Sequence, residues 1–378
     1  MKFCIITHVN HHLDKGEYFA YAPYVREMNI WLQHVDEVIV VAPLEKKEKT
    51  AIDIAYLSTL QFYRVPSFNF TNITNIVKTL FQLPMLLYMI FKAMKNADHI
   101  HLRCPGNMGL LGCLVQIAFP KKSKTAKYAG NWDLKAKQPW SYRLQKWILN
   151  NTFLTKNIKV LVYGEWEGSS RNILPFFTAT YSEREAQVSL SHSRRELPIS
   201  SKEPIRFMFV GTLSHGKRPL YALSLFKRIL ESNSNCTLDF YGEGIMRQDL
   251  EQCITENGLS GSVVLHGNQS KETVEKAYQN SHFLILASQS EGWPKVVAEA
   301  MFWGCVPIAT SVSCVPMMLD QGNRGMLLTM QLEKDILHLE TLLKAPSVFR
   351  QKSEKALSWS RQFTMEKFDA EIQKLLAQ

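Results

Sequence analysis

A chain of 378 residues is too long for one ordinary hydrophobic core, and at ~100 to 200 residues per domain it divides into two. With 46% hydrophobic, 21% charged and 11% aromatic residues and no low-complexity tract, it is a folded globular chain and not a disordered one. The net charge of +10 is uneven: residues 1–200 hold 25 Lys/Arg against 15 Asp/Glu, residues 201–378 hold 19 of each, so the first half alone carries a field that draws anions, unless it is simply a solvated basic face.

In chain order, the apolar run at residues 3–9 is too short for a signal-peptide core, lacks a cleavage pattern, and reads as a first strand. A helix over 23–34 and a strand over 37–42 follow. Further strands are predicted at 61–65, 99–103, 125–128 and 159–162, with helices between most of them. The longest apolar stretch, residues 79–91, contains Gln82 and Pro84 and falls short of the ~20 residues of a membrane span. Bordered by Lys78, Lys92 and Lys95, it is read as a buried helix with basic ends, the alternative being a helix lying on a bilayer surface.

Residues 190–204, with Ser, Arg and two prolines, read as a linker, after which the alternation restarts. Strands at 206–210, 237–241, 263–266, 283–287 and 306–310 alternate with helices at 219–231, 246–256, 271–280 and 295–303. This is the order of a parallel sheet wrapped by helices. The expected domains are 1–190 and 203–350, with a helical stretch at 351–378 that packs back on the first domain. Ligands of such sheets lie at the carboxyl ends of the strands, which places the expected site in a cleft between the domains. Seven scattered cysteines, with no C-x-x-C pair and no zinc spacing, read as small buried residues of a reducing compartment, and no metal is expected.

The informative stretch is Ser290-Glu291-Gly292-Trp293-Pro294-Lys295-Val296-Val297-Ala298-Glu299, followed by Gly304-Cys305-Val306-Pro307-Ile308. Pro294 suits the first position of a helix, and the N–H groups that follow, with the helix dipole, seat a phosphate. Glu291, just ahead of that seat, is placed to accept from the hydroxyls of a sugar, and Glu299 from a ribose. The plainer reading is that Glu291 caps the helix and Glu299 pairs with Lys295 one turn away.

Two glutamates eight positions apart, followed by the strand from Gly304 to Ile308, make this stretch resemble the retaining glycosyltransferases of family four. Those proteins have the GT-B architecture, two facing Rossmann-like, doubly wound α/β domains with a cleft between them. The resemblance implies Glu291 on the donor sugar and Glu299 on the ribose, with Gly292, Trp293, Pro294, Lys295 and Val296 around the diphosphate. Phe209-Val210-Gly211-Thr212-Leu213-Ser214-His215-Gly216-Lys217 resembles the family's strand-end loop, in which Gly211 opens the turn and a basic pair grips the diphosphate. Lys217 is the second of that pair; Thr212 stands where the first is usually Arg, a charge that Arg218 or Lys295 would replace. Gly242-Glu243-Gly244 resembles the turn where absent side chains let the nucleotide approach the backbone.

The resemblance covers about residues 205–330 and thins before them. Gly16 stands for a glycine pair after the first strand. Arg103 occupies the place of an active-centre histidine, either to stabilise the leaving phosphate or as a surface arginine. Asn131, Trp132 and Asp133, after the strand at 125–128, are candidate acceptor contacts, with core packing the alternative for Trp132.

The implied reaction moves a sugar from a nucleoside diphosphate sugar to a hydroxyl of a glycan or lipid-linked acceptor, with retention and with neither cofactor nor metal. The implied setting is cytoplasmic, at the inner face of the membrane, with peripheral contact through the basic first domain, in cell-envelope or exported-glycan synthesis. Rival readings are a nucleotide-sugar epimerase of the same architecture, which needs no acceptor, and a nucleic-acid-binding protein; the chain has no recognised nucleic-acid motif, so no nucleic acid is expected.

Overall fold

Continuous apolar runs, as expected of strands covered on both faces, pair into two all-parallel sheets in a computed structural model that describes residues 1–45, 49–50, 52–66, 73–188, 196–198 and 203–377. The chain divides into two compact units, Met1–Phe177 with Asp369–Gln378, and Thr178–Phe368. The boundary thus falls before the predicted linker, most of which lies outside the described residues.

In the first unit the strands are β1 (Lys2–Ile6), β2 (His11–Asp14), β3 (Glu17–Tyr21), β4 (Glu37–Pro43), β5 (Asp53–Ala55), β6 (Leu60–Val65), β7 (His99–Cys104), β8 (Ser123–Tyr128), β9 (Ile158–Tyr163) and β10 (Ile173–Phe176). Helices α1 (Ala22–Leu32), α2 (Ile73–Lys95), α3 (Asn107–Val115) and α4 (Trp140–Leu149) connect them. The seven-stranded sheet runs β10-β9-β8-β7-β1-β4-β6, so the winding reverses between β1 and β7. Its core includes Cys4, Ile6, Ile39, Val41, Ile100 and Leu102.

Two expectations change here. Residues 11–21 form a hairpin, extended by β5 into a small antiparallel sheet. Gly16 sits in its two-residue turn, where Lys15 has φ 49° and Gly16 φ 87°, the double positive φ that a tight hairpin asks of its loop. Along its described side chains, residues 81–95, helix α2 is buried on one face. Leu86, Ile90, Ala93 and Met94 are in the core, while Phe81, Met85, Tyr88 and Phe91 are exposed. No helix among the described residues is long and apolar enough to cross a membrane.

The second unit holds α5 (Glu183–Val188), β11 (Ile205–Val210), α6 (Pro219–Ser232), β12 (Cys236–Tyr241), α7 (Arg247–Glu256), β13 (Val263–Gly267), α8 (Lys271–Asn280), β14 (Phe283–Leu286), α9 (Lys295–Phe302), β15 (Val306–Thr310), α10 (Val315–Met318), β16 (Met326–Leu328), α11 (Leu332–Leu343) and α12 (Pro346–Ser360). The six strands run β13-β12-β11-β14-β15-β16 and the winding reverses between β11 and β14. The predicted C-terminal helix is two helices: α12 belongs to the second unit, and α13 (Met365–Leu376) carries the residues from Asp369 onward into the first.

Candidate functional site

In an open parallel sheet the crevice lies at the carboxyl ends of the two strands that flank the reversal of winding. In the second unit these are β11 and β14, and the loops that leave them hold Gly211 to Arg218 and Ala287 to Pro294. The loops meet directly: the Gln289 N–H donates to the Gly216 carbonyl at 2.8 Å, and Lys217 Nζ donates to Glu291 Oε1 at 2.5 Å. The Glu291 side chain is 9% exposed and that of Lys217 30%, so the ion pair has one dry end and one wetter end.

The loop that carries Glu291 is pinned from β15 and the segment after it. Thr310 Oγ1 donates to the Ser288 carbonyl at 2.6 Å, Ser313 Oγ to the Gly292 carbonyl at 3.0 Å, and Cys314 Sγ to the same carbonyl at 3.1 Å. Burial pushes the Cys314 thiol up to about 12, which keeps its proton available for that bond. Trp293 is buried, stacked on Trp359 at 6.1 Å and edge-on to Phe363 at 5.7 Å. Its ring therefore anchors the loop to the α12 region, a packing job where a donor contact was expected.

Helix α9 begins at Lys295, as predicted, but Pro294 flanks the helix at φ −73°, ψ 90° instead of filling its first position, and no side chain caps the helix. The first helical bond is Val297 N–H to the Pro294 carbonyl at 2.9 Å, so the amides of Lys295 and Val296 precede the ladder. Glu291 is free of the capping role and held by Lys217 instead.

Glu299 lies on the second turn of α9, and hydroxyl donors hold both of its oxygens: Thr180 Oγ1 at 3.0 Å and Tyr278 OH at 3.2 Å. Burial, then the charge of Glu299, raises the Tyr278 hydroxyl well above its ordinary value, so it stays a donor. Sequence reasoning missed both partners. Tyr278 had a signal, since it is the one buried residue of the charged helix α8. Thr180 had none.

Glycines set the floor of the crevice. A Cβ on Gly242 would sit 2.0 Å from the Gly211 carbonyl oxygen, and one on Gly244 2.3 Å from that of Leu213. The turn was expected to be bare so that a ligand could approach; the two strand-end loops also touch here and leave no room for a side chain. Gly242→Ala should therefore cost about 1–3 kcal/mol of stability, as overpacking does. Gly211→Ala should cost less: that glycine has φ 145° but nothing within 4 Å of its Cβ position. Urea unfolding of the two variants checks the order, and equal losses would refute the contact as the cause. Beside this floor Thr212 is exposed, and Arg218, left-handed at φ 49°, lines a hollow of about 460 Å³ with His215, Tyr221 and Met246.

The first-unit candidates are placed differently from expectation. Arg103 is buried and donates to Glu27 at 2.5 and 3.4 Å, with its guanidinium 5.4 Å from the Tyr24 ring centre. Burial alone would lower its pKa, but the charge and hydrogen bond of Glu27 outweigh burial and hold it above the ordinary value. Neither a surface arginine nor one left open for a phosphate, it closes an internal pair. Trp132 is fully buried, edge-on to Tyr128 at 4.9 Å, and offers no open face to a sugar. Asn131 Oδ1 accepts from the Asp133 N–H, and Asp133 Oδ1 from the Lys135 N–H, each at 2.8 Å, so both side chains shape their own turn.

Residues 192–356 match the family model described as Glycosyl transferases group 1, a span that contains Lys217, Gly242, Gly244, Glu291 and Glu299. The matched span, less than half of the chain, is what resembles the group 1 glycosyl transferases. The uncharacterized glycosyltransferase MJ1607 of Methanocaldococcus jannaschii is 30% identical over 119 residues, which are 32% of this chain and 30% of that protein. The aligned stretch thus spans less than a third of that relative's length. Among solved structures, the lipopolysaccharide outer core galactosyltransferase WaaB in its apo form gives a TM-score of 0.67 at 16% identity, over 100% of this chain and 99% of that one. HepE of Anabaena in complex with UDP gives 0.66 at 14% identity, over 100% of each. These likenesses establish the fold, and it is GT-B.

Proposed function

We propose that the protein transfers a glycosyl group from a nucleoside diphosphate sugar to an acceptor hydroxyl with retention at the anomeric carbon. The observation that carries the reading is the Lys217–Glu291 pair, formed by the two loops at the reversal of the second sheet and set just ahead of α9. A diphosphate seated at the start of α9 draws on the helix dipole and on Lys217, which together stabilise the charge that gathers on the leaving phosphate. Glu291 then accepts from hydroxyls of the donor sugar, and Glu299, oriented by Thr180 and Tyr278, from the ribose.

The bond from the anomeric carbon to the phosphate oxygen breaks as the bond to the acceptor oxygen forms on the same face. The acceptor proton passes to a phosphate oxygen of the leaving group, so no side chain is assigned as base. The diphosphate charge is met by Lys217 and the helix start, and we assign no metal to the step.

Thermal-shift measurement against UDP, GDP and ADP and their sugars tests the donor class. At least one should raise the melting temperature, and Glu299→Ala should weaken its binding by about tenfold, the worth of a hydrogen bond to a charged group. A panel with no stabilising member, or unchanged affinity in Glu299→Ala, removes this reading. Nucleoside diphosphate released only when an acceptor is supplied separates transfer from epimerisation.

A further inference from the structure

The amino-terminal edge of the first unit's sheet, opposite to the edge at which ligands of such sheets lie, holds a hollow of about 910 Å³. It opens where β8 and β9 begin. Four cations line it, Lys124, Lys156, Lys159 and Arg171, together with Asn157 and the ring of Phe153, and no Asp or Glu is among its described lining residues. We propose that this hollow is a second anion site, independent of the donor crevice, that takes a ligand bearing phosphate.

Lys124 is almost wholly buried, and carbonyls neutralise nothing: its ammonium donates to those of Phe119 at 2.8 Å and Gln116 at 3.4 Å. A charge drawn out of water with only dipoles around it lowers the pKa, here to about 8, and burial shifts Lys159 the same way. An arriving anion reverses that cost. Lys156 and Arg171 are exposed at the mouth, and a guanidinium beside ammonium groups matches the several oxygens of a phosphate better than the single charge of a carboxylate. The volume suits a small ligand. Phosphate could reach the hollow on a soluble molecule or on a lipid head group. For the second source, Phe119, the neighbour of the lining residue Pro120, touches Phe91 of the exposed α2 stripe at 5.0 Å between ring centres.

The test is calorimetric titration of the full chain carrying Lys217→Ala, which removes the basic group of the donor crevice, with inorganic pyrophosphate at about 0.1 M salt. Binding should persist in that background and weaken at least tenfold when Lys156→Glu and Arg171→Glu are added. The same charge change at Lys135 and Lys137, exposed in a loop of the same unit, should leave it within about twofold. A parallel arm sediments the proteins with phosphatidylglycerol vesicles and with phosphatidylcholine vesicles. Binding of pyrophosphate that depends on Lys156 and Arg171 supports a soluble ligand; dependence seen only with phosphatidylglycerol supports a lipid phosphate. Binding in neither arm, or equal losses from the two charge reversals, overturns the proposal. Because every protein compared lacks Lys217, the outcome is independent of the donor assignment.

Discussion

Replacing Glu291 with alanine is expected to lower turnover by about 100-fold or more, on the order of 2.7 kcal/mol in the transition state, while bare nucleoside diphosphate binds within about threefold of wild type. The asymmetry follows from what the carboxylate touches. It meets Lys217 at 2.5 Å and does not cap α9, so the proposed role lies with the sugar and not with the nucleotide. The loop should survive the change, because Gln289, Ser288 and Gly292 hold it through backbone atoms that the substitution leaves in place. Glu291→Gln keeps the shape and removes the charge, and should fall between the two. The measurement is release of nucleoside diphosphate from the donor that the binding panel selects, alongside nucleotide affinity. Wild-type turnover in both Glu291→Ala and Glu299→Ala would sink the assignment; a lowered melting temperature with normal turnover would reduce the pair to a structural tie.

Arg103→Met is expected to cost about 3–5 kcal/mol of stability, because it removes the guanidinium that compensates the buried Glu27 carboxylate. Glu27 is 6% exposed and receives both guanidinium bonds. Adding Glu27→Gln should restore most of the loss, since two neutral side chains leave no buried charge. Chemical denaturation of the three proteins decides it, and a single variant as stable as wild type would refute the buried pair. If the double variant folds and turns over normally, Arg103 belongs to the framework, as its buried pair with Glu27 implies.

Most of the fold was legible from the residues because it rests on local signals. Residues 271–280 and 306–310 were read with the boundaries the structure has, since a Ser270 cap that accepts from the Thr273 N–H starts the first and a continuous apolar run makes the second. The hairpin at residues 11–21 was not read. Its strands are four and five residues long and its partner β5 has three, too few for a periodic pattern to show. Helix α2 was misread in part, because apolar residues cover it on two faces and composition does not say which face meets the sheet.

The sequence by itself determined the alternation of strand and helix, the two units it builds, and the two acids eight positions apart around the start of one helix. Those properties follow from periodicity and short-range chemistry, and neighbours in the chain carry both. Only tertiary structure decided that Lys217 closes on Glu291 across 74 residues, that Thr180 reaches Glu299 across 119, and that Arg103 turns inward to Glu27. Each of these depends on the order in which parallel strands lie side by side, and strand order is set by how the helices pack, which no local stretch of residues encodes.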